Sequence, residues 1–573
     1  MAYDLIIKNG TVVDGSGMPS CKTDVGVKDG RVAARGNLGK DAAKVIDAEG
    51  KIVAPGFVDI HTHYDAQILW DPLMTCSPWH GATTVVMGNC GFTLAPCRPQ
   101  DRDFIARMFA RVEGMNLRAL EIGVDWKWQS FGEYLDRISG IPLGINAATM
   151  VGHSALRRYV MGEDSAKREA NADEVQEMKA LVREAMQVGA FGFTTSLSPT
   201  HYDWDGSPVP SRLASHDEVI ELSSALSEFH VGGLEIISET AVRGPDHFSQ
   251  SDQDLLIKMS LVSGRPVNFN ELSHSWDRPT VWREQIAFME RASRLGAQVY
   301  AVTRYQRLDS MFNLSSPSSF DKYPKWLEVL SLPREKAVAA MRDSTTRAAL
   351  VADMDRGNAA EMPARQMPNV AFVKSKTGKY AQHQGKRLGE IGAALGKKPA
   401  EILLDWSADE NLEAEFSFIG TRNGDMKSVA QIITSPFAIA GISDAGAHTD
   451  RLSGAYYSTF LLSHWVRDEK LMTLEEAIRR LTAIPAALYS LHDRGQIREG
   501  LPADIVIFDL EKLAWLPTER LNDFPGGESR LANRAEGYDA LIVGGKVVMD
   551  HGRDTGARPG KVLRSTAYRY NGE

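Results

Sequence analysis

Cysteine is scarce in this chain, with four in 573 residues. So few, so widely spaced, make no disulfide framework, and each is left as a small buried hydrophobe, a ligand or a nucleophile. Long apolar runs are also missing. No stretch reaches the roughly 18 residues that cross a bilayer, and the opening Met-Ala-Tyr-Asp-Leu-Ile-Ile-Lys has no apolar signal core. The expected compartment is a reducing cytoplasm, and no membrane partner is expected. Blocks of basic residues and basic-aromatic stripes are absent, the net charge is −9 and the pI about 5.9, so nucleic acid is not an expected partner. No period of about 20–50 residues recurs. What is there is globular: 43% hydrophobic and 24% charged residues, with ample length for a large core.

The two ends read as short strands. Tyr3 to Gly15 holds two β-rich runs split at Asn9-Gly10, and Thr23 to Ala34 repeats the form around Asp29-Gly30. Ala503 to Leu510 and Tyr538 to Asp550 are again hairpin-like, with Gly544-Gly545 as a turn. Neither set can bury both faces alone. Residues 1–54 and 498–573 are therefore expected to share one small β-sandwich.

Between them, apolar strands alternate with helical stretches, which implies a parallel sheet in an α/β fold. The strand candidates run from Phe57 to Ala438-Ile-Ala-Gly-Ile, and an eight-stranded (β/α)8 barrel over 55–497 fits the count. Ala172–Val188, Asp217–Phe229 and Leu474–Leu481 read as helices. Residues 306–437 break the alternation and are too long for a connection. With helix-like Pro333–Met341 and Leu388–Ala400, they read as a mostly helical insertion, a lid or a contact between copies of the chain.

The stretch Pro55-Gly-Phe-Val-Asp-Ile-His-Thr-His63 carries the first chemistry. Residues i and i+2 of a strand point to one side, so His61 and His63 project together at a strand end, ready to chelate a metal. Alone the pair is weak. Four further motifs strengthen it: Gly88-Asn-Cys-Gly-Phe-Thr-Leu-Ala-Pro96, Gly152-His-Ser-Ala-Leu-Arg157, Ser443-Asp-Ala-Gly-Ala-His448, and Thr482-Ala-Ile-Pro with Gly495-Gln-Ile-Arg-Glu-Gly-Leu-Pro-Ala-Asp504. Together they resemble the amidohydrolase superfamily and, through Gly-Asn-Cys-Gly, its D-aminoacylase (N-acyl-D-amino-acid deacylase) branch.

That resemblance implies a distorted TIM barrel with a two-ended β-sandwich, and a zinc-dependent hydrolase of small-molecule amides. It makes His61, His63 and Cys90 metal ligands, adds His274 from the sixth strand, and makes Asp444 the catalytic aspartate and a further ligand. His153, Arg451 and Tyr305 are the substrate-binding candidates. A structural histidine bonded to its own loop stands beside the first of these readings, and a solvated surface arginine beside the second. Two departures matter. The branch places a His-x-Arg-like segment after the fifth strand, where this chain has Ser238-Glu-Thr-Ala, with Glu239 as an alternative oxygen ligand or an ordinary solvated carboxylate. The branch's Asp-x-Tyr-Pro-Tyr is replaced by Val299-Tyr-Ala-Val-Thr-Arg-Tyr305. The first departure leaves one strong zinc site with the second weak or empty; the second opens the question of substrate, and the alternatives are a hydrolase of cyclic amides or carbamates on the same scaffold, or a non-catalytic binding or assembly protein on a decayed barrel.

Overall fold

A computed structural model describes residues 2–315, 319, 320, 322–355 and 363–568. Parts of the expected insertion (316–318, 321 and 356–362) and of the C-terminal segment (569–573) lie outside the described residues. The chain divides into one compact unit of Met1–Gln306, Asp425–Thr449 and Ser453–Glu573, and another of Arg307–Gly424 with Asp450–Leu452.

The first unit is built on parallel strands. Phe57–Asp59, Ala82–Met87 and Asn146–Thr149 form a three-stranded sheet, and Val151–Gly152, Gly192–Ser196, Gly233–Ile237, Val267–Phe269, Val299–Thr303 and Ala438–Ala440 form one of six. The two sheets are continuous, because Asn146–Thr149 and Val151–Gly152 are one strand interrupted at Met150. The last strand returns to the first: Asp444 N donates to His61 O at 3.2 Å and His63 N to Ala445 O at 2.8 Å. The result is a closed barrel of eight strands. Its strands are buried on both faces, which explains why they read as apolar runs rather than as alternations.

The covering helices are set by their ends. Asn171 and Glu174 form a reciprocal capping box at the start of Ala172–Val188, which stops at Gly189. Thr473 caps Leu474–Leu481 in the same unit. The expected Asp217–Phe229 is a shorter α-helix, His216–Ser224, tightening into a 3-10 turn over Ala225–Glu228.

Both chain ends meet in the sandwich. Four N-terminal strands, among them Tyr3–Lys8 and Asp24–Lys28, form one sheet. In the other, Ile505–Phe508 pairs with Ile52–Pro55 on one side, Ile507 opposite Val53, and with Tyr538–Val543 on the other. Leu5, Val25, Val27, Val53, Ile505, Ile507 and Ile542 fill the shared core. Buried Asp504 ties this layer to the barrel, accepting from Asn146 Nδ2 at 3.0 Å, Arg494 at 2.9 Å and Gly544 N at 2.8 Å.

The second unit differs from the expected insertion in two ways. It ends at Gly424, and the helix Met426–Thr434 belongs to the barrel unit. It also contains an antiparallel sheet of Leu308–Phe312, Glu415–Arg422 and Ala371–Lys374 beside its helices. The stretch expected as one helix, Leu388–Ala400, is two. Gly396, at φ +64°, ends Leu388–Leu395, and Pro399 opens Pro399–Asp409.

Buried His80 in the barrel unit makes stability depend on pH. Its Nε2–H donates to Asn533 O at 3.1 Å, so Nδ1 accepts from the Thr459 hydroxyl at 2.8 Å. Burial, opposed by the Asn533 carbonyl and side chain, lowers its pKa from 6.5 to about 4. Below pH 6.5 the unfolded chain binds a proton that the folded chain refuses, so stability present above pH 6.5 is lost toward pH 4. Between pH 7.5 and 5 this site costs about 2 kcal/mol. His80→Gln is expected to lower stability at pH 7.5 and to flatten that acid loss. Equal pH slopes of the denaturation midpoint in both proteins would contradict it.

Candidate metal centre and active site

The centre is assembled on the carboxyl ends of the barrel strands. The second strand stops at Gly88, where φ is +80° and a Cβ would stand 2.4 Å from Met150 O, so only glycine fits. The turn that follows is pinned from three sides. Asn89 Nδ2 donates to Thr62 O at 3.1 Å and Val86 O at 2.9 Å, and Gly91 N donates to Thr194 Oγ1 at 3.1 Å, whose hydroxyl donates to Gly88 O at 2.6 Å. Cys90 is thereby held at φ +58°, a conformation unusual for a non-glycine residue.

His61 and His63 leave the first strand on the same side, as the spacing requires, with ring centroids 5.2 Å apart. Their ring nitrogens and Cys90 Sγ lie within 4.8 Å of one another, and all three residues are buried. Asp444, after the last strand, faces the same point. Its Oδ1 is 3.3 Å from His61 Nε2 and 3.6 Å from His63 Nε2, and His61 Nε2 is 3.4 Å from Cys90 Sγ. Asp444 also has a left-handed backbone, φ +52°. Two residues on, Gly446 lets this loop approach the first strand; a Cβ there would meet His63 O at 2.6 Å.

Around these four lies a ring of buried partners. Glu113 Oε1, at the end of the helix Arg102–Glu113, is 3.3 Å from His63 Nδ1. Arg304, just beyond the seventh strand, bonds Asp444 Oδ2 and reaches Glu271 Oε2 at 3.2 Å. Glu235, inside the fifth strand, accepts from Cys90 N at 2.7 Å. Asn270, after the sixth, donates to the Glu235 carboxylate. His201 stands nearby, with Nδ1 2.9 Å from Ser196 Oγ and its ring against Phe92.

The electrostatics of this ring are those of a site short of positive charge. Burial pushes Asp59 up to about 7, Asp65 to about 6 and Glu235 to about 8. Burial raises the Cys90 thiol well above its ordinary value, and Glu235, Glu113 and Asp444 push it the same way. Burial works against a charge on His63, yet Glu113 and Asp444 raise it to about 9. Burial likewise opposes the Asp444 charge, but Arg304, His61 and His63 hold that carboxyl well below the usual range. A divalent cation would relieve the excess of buried acid and displace the thiol proton, which is released. Two imidazoles, a sulfur and a carboxylate oxygen are donors that suit zinc.

Not every expected residue joins the centre. His274 is not in the ligand group: its ring stacks edge-on against Trp276 at 4.9 Å, with Asp425 and Arg283 as its charged neighbours. Asn270, four residues earlier, is the sixth-strand residue that reaches the cluster. His153 is fully buried and spends both ring nitrogens on protein, 2.8 Å from Thr195 Oγ1 and 2.9 Å from Glu218 Oε1, and Arg157 donates to both oxygens of that carboxylate. It braces the loop and presents no free nitrogen to a substrate. Tyr305 is buried as well, with Arg480 of Leu474–Leu481 as a charged neighbour and its carbonyl accepting from Trp465 Nε1 at 2.7 Å, on the helical side of the barrel. Arg451 lies in the second unit beside Asp450, Nε to Oδ1 at 3.6 Å. Glu239 is exposed, its N–H donating to Asp252, so it is the ordinary solvated carboxylate.

Four central residues were passed over in the sequence. Glu235 carried a signal, being a carboxylate inside an otherwise apolar strand, Leu234-Glu-Ile-Ile. Arg304, directly after a strand, carried a weaker one. Asn270 and Glu113 carried none.

A closed parallel barrel that gathers two histidines, a cysteine and an aspartate at its strand ends has the architecture of a metal-dependent hydrolase. Comparison with known families agrees: the chain belongs to the amidohydrolase family, whose model matches residues 44–549. It is 29% identical to a D-aminoacylase of Alcaligenes xylosoxydans xylosoxydans over 99% of this chain and 98% of that one. An N-acyl-D-aspartate deacylase of the same organism is also 29% identical, covering 98% and 95%. A crystal structure of D-aminoacylase, 27% identical, superposes over 98% of this chain and all of that one with a TM-score of 0.65. A second D-aminoacylase structure, with a TM-score of 0.66 at 27% identity, concerns a binuclear metal centre with one-metal activation and second-metal attenuation.

Proposed function

We propose that this protein is a zinc-dependent hydrolase of non-peptide amide bonds, with N-acyl-D-amino acids or closely related amides as substrates. The observation that carries the reading is the convergence of His61, His63, Cys90 and Asp444 on one buried point, in a chain similar to D-aminoacylase over nearly its whole length. His61, His63, Cys90 and Asp444 would hold the ion. When bound, zinc supplies Lewis acidity toward a carbonyl oxygen and lowers the pKa of water.

The chain's own residues do the rest. Asp444 accepts a proton from the attacking water and passes it to the departing nitrogen. Arg304 on Oδ2 orients that carboxylate so that Oδ1 faces the imidazoles. Glu271 holds Arg304, and Glu113 fixes the His63 ring by its outer nitrogen. The buried walls exclude bulk water, which strengthens each of these interactions. His274 turns to Trp276, and Ser238 stands where an imidazole after the fifth strand would be, which supports reading the centre as one strong site. The four free cysteines suit a reducing cytoplasm, and no helix among the described residues is long and apolar enough to cross a membrane.

Gently purified protein is expected to carry about one equivalent of zinc and to cleave N-acyl D-amino acids faster than their L-enantiomers. A panel of N-acetyl and longer N-acyl amino acids, then cyclic amides and carbamates, reads this out. Protein that holds no transition metal and gains nothing from added zinc contradicts the metal; cleavage of cyclic amides or carbamates alone contradicts the substrate class.

A further inference from the structure

The fifth and sixth barrel strands bring no imidazole to the centre. They bring Glu235 and Asn270, and both are already engaged with protein. Glu235 is fully buried; one carboxylate oxygen accepts the backbone N–H of Cys90 at 2.7 Å, and the other accepts the Asn270 carboxamide. The same carboxamide nitrogen lies 3.7 Å from Cys90 Sγ and 3.3 Å from His61 Nδ1. One pair thus touches the backbone of the cysteine, its sulfur, and the outer nitrogen of a neighbouring histidine.

The geometry points to a clamp: Glu235 and Asn270 position the Cys90 sulfur and the His61 ring for a single divalent ion, and their mutual hydrogen bond fills the side of the centre that would otherwise offer a second. This rests on the metal-centre reading above and deepens it. Cys90 needs such support because its backbone is left-handed, where a non-glycine residue is held only by its surroundings. The bond from Glu235 to Cys90 N fixes that backbone. The Asn270 carboxamide packs against both the sulfur and the outer edge of the His61 ring, and so holds Cys90 Sγ beside the inner imidazole nitrogen, Nε2, 3.4 Å away. Outer contacts of this kind are typically worth about 10–100-fold in metal affinity. Both Glu235 oxygens are spent on N–H donors, so this carboxylate serves as a positioning residue rather than a ligand.

The test uses the full chain, stripped of metal by chelator and titrated with Co2+ while the sulfur-to-cobalt absorption is followed. Wild type is expected to saturate at about one equivalent with a strong sulfur band. Glu235→Leu and Asn270→Leu are expected to weaken binding by about 10–100-fold and to diminish that band, with unchanged far-ultraviolet circular dichroism. Glu235→Gln, which keeps an acceptor for Cys90 N–H, is expected to fall between; with Asn270→Leu it carries the test if Glu235→Leu does not fold. Two equivalents bound by wild type, or variants with wild-type affinity and band, would overturn the clamp and leave the metal-centre reading standing. No cobalt bound by wild type would overturn both.

Discussion

Replacing Asp444 by asparagine is expected to reduce amide hydrolysis by about 10²–10⁴ while leaving the fold and most of the metal in place. Asparagine matches aspartate in shape and, of the ordinary residues, tolerates a left-handed backbone best, so the φ of +52° is kept. Its carboxamide oxygen can still accept from Arg304. It cannot take a proton from water or hand one to a poor nitrogen leaving group. Because Asp444 Oδ1 also faces both imidazoles, zinc content must be measured beside turnover. An Asn variant with wild-type turnover removes Asp444 from the chemistry; one that loses all its zinc makes it chiefly a ligand.

The second large effect is on the metal itself. Cys90→Ser preserves volume and the turn but replaces a thiolate donor with a hydroxyl that stays protonated and binds zinc poorly. The loss should exceed the about 10–100-fold expected of an outer contact. Dialysed protein should be nearly zinc-free, and activity should return only with a large excess of metal. If Cys90→Ser retains a full equivalent after dialysis, the sulfur is not a ligand and the buried thiol is only a packed side chain.

How much of this was legible in the sequence depended on whether a residue's direction followed from local geometry. His61 and His63 were readable because a strand fixes the side to which i and i+2 point. Cys90 and Asp444 sit in tight turns whose neighbours, Gly88 and Gly446, are required by close backbone approach. The barrel followed from the alternation of apolar strands with helices, and the sandwich from hairpins that could not stand alone. Beyond a strand end the sequence gives position without orientation. His153 opens the helix His153–Met161 and turns to Thr195 and Glu218. His274 lies four residues past Asn270, and only the fold shows which of them turns inward. Glu113 arrives from a helix whose relation to His63 is purely tertiary. The second unit's sheet was missed because Ala371-Phe-Val-Lys and Glu415-Phe-Ser-Phe-Ile are short runs separated by some forty residues that include helices.

We propose that one metal ion, held by His61, His63, Cys90 and Asp444, makes this barrel an amide hydrolase. This proposal is tested most directly by titrating chelator-stripped full-length protein with zinc while following hydrolysis of N-acyl-D-amino acids. The stripped protein is expected to show no turnover, with recovery complete at about one equivalent of zinc. Undiminished turnover in protein shown to be free of metal, or no C–N bond cleaved by the fully reconstituted protein, would contradict it.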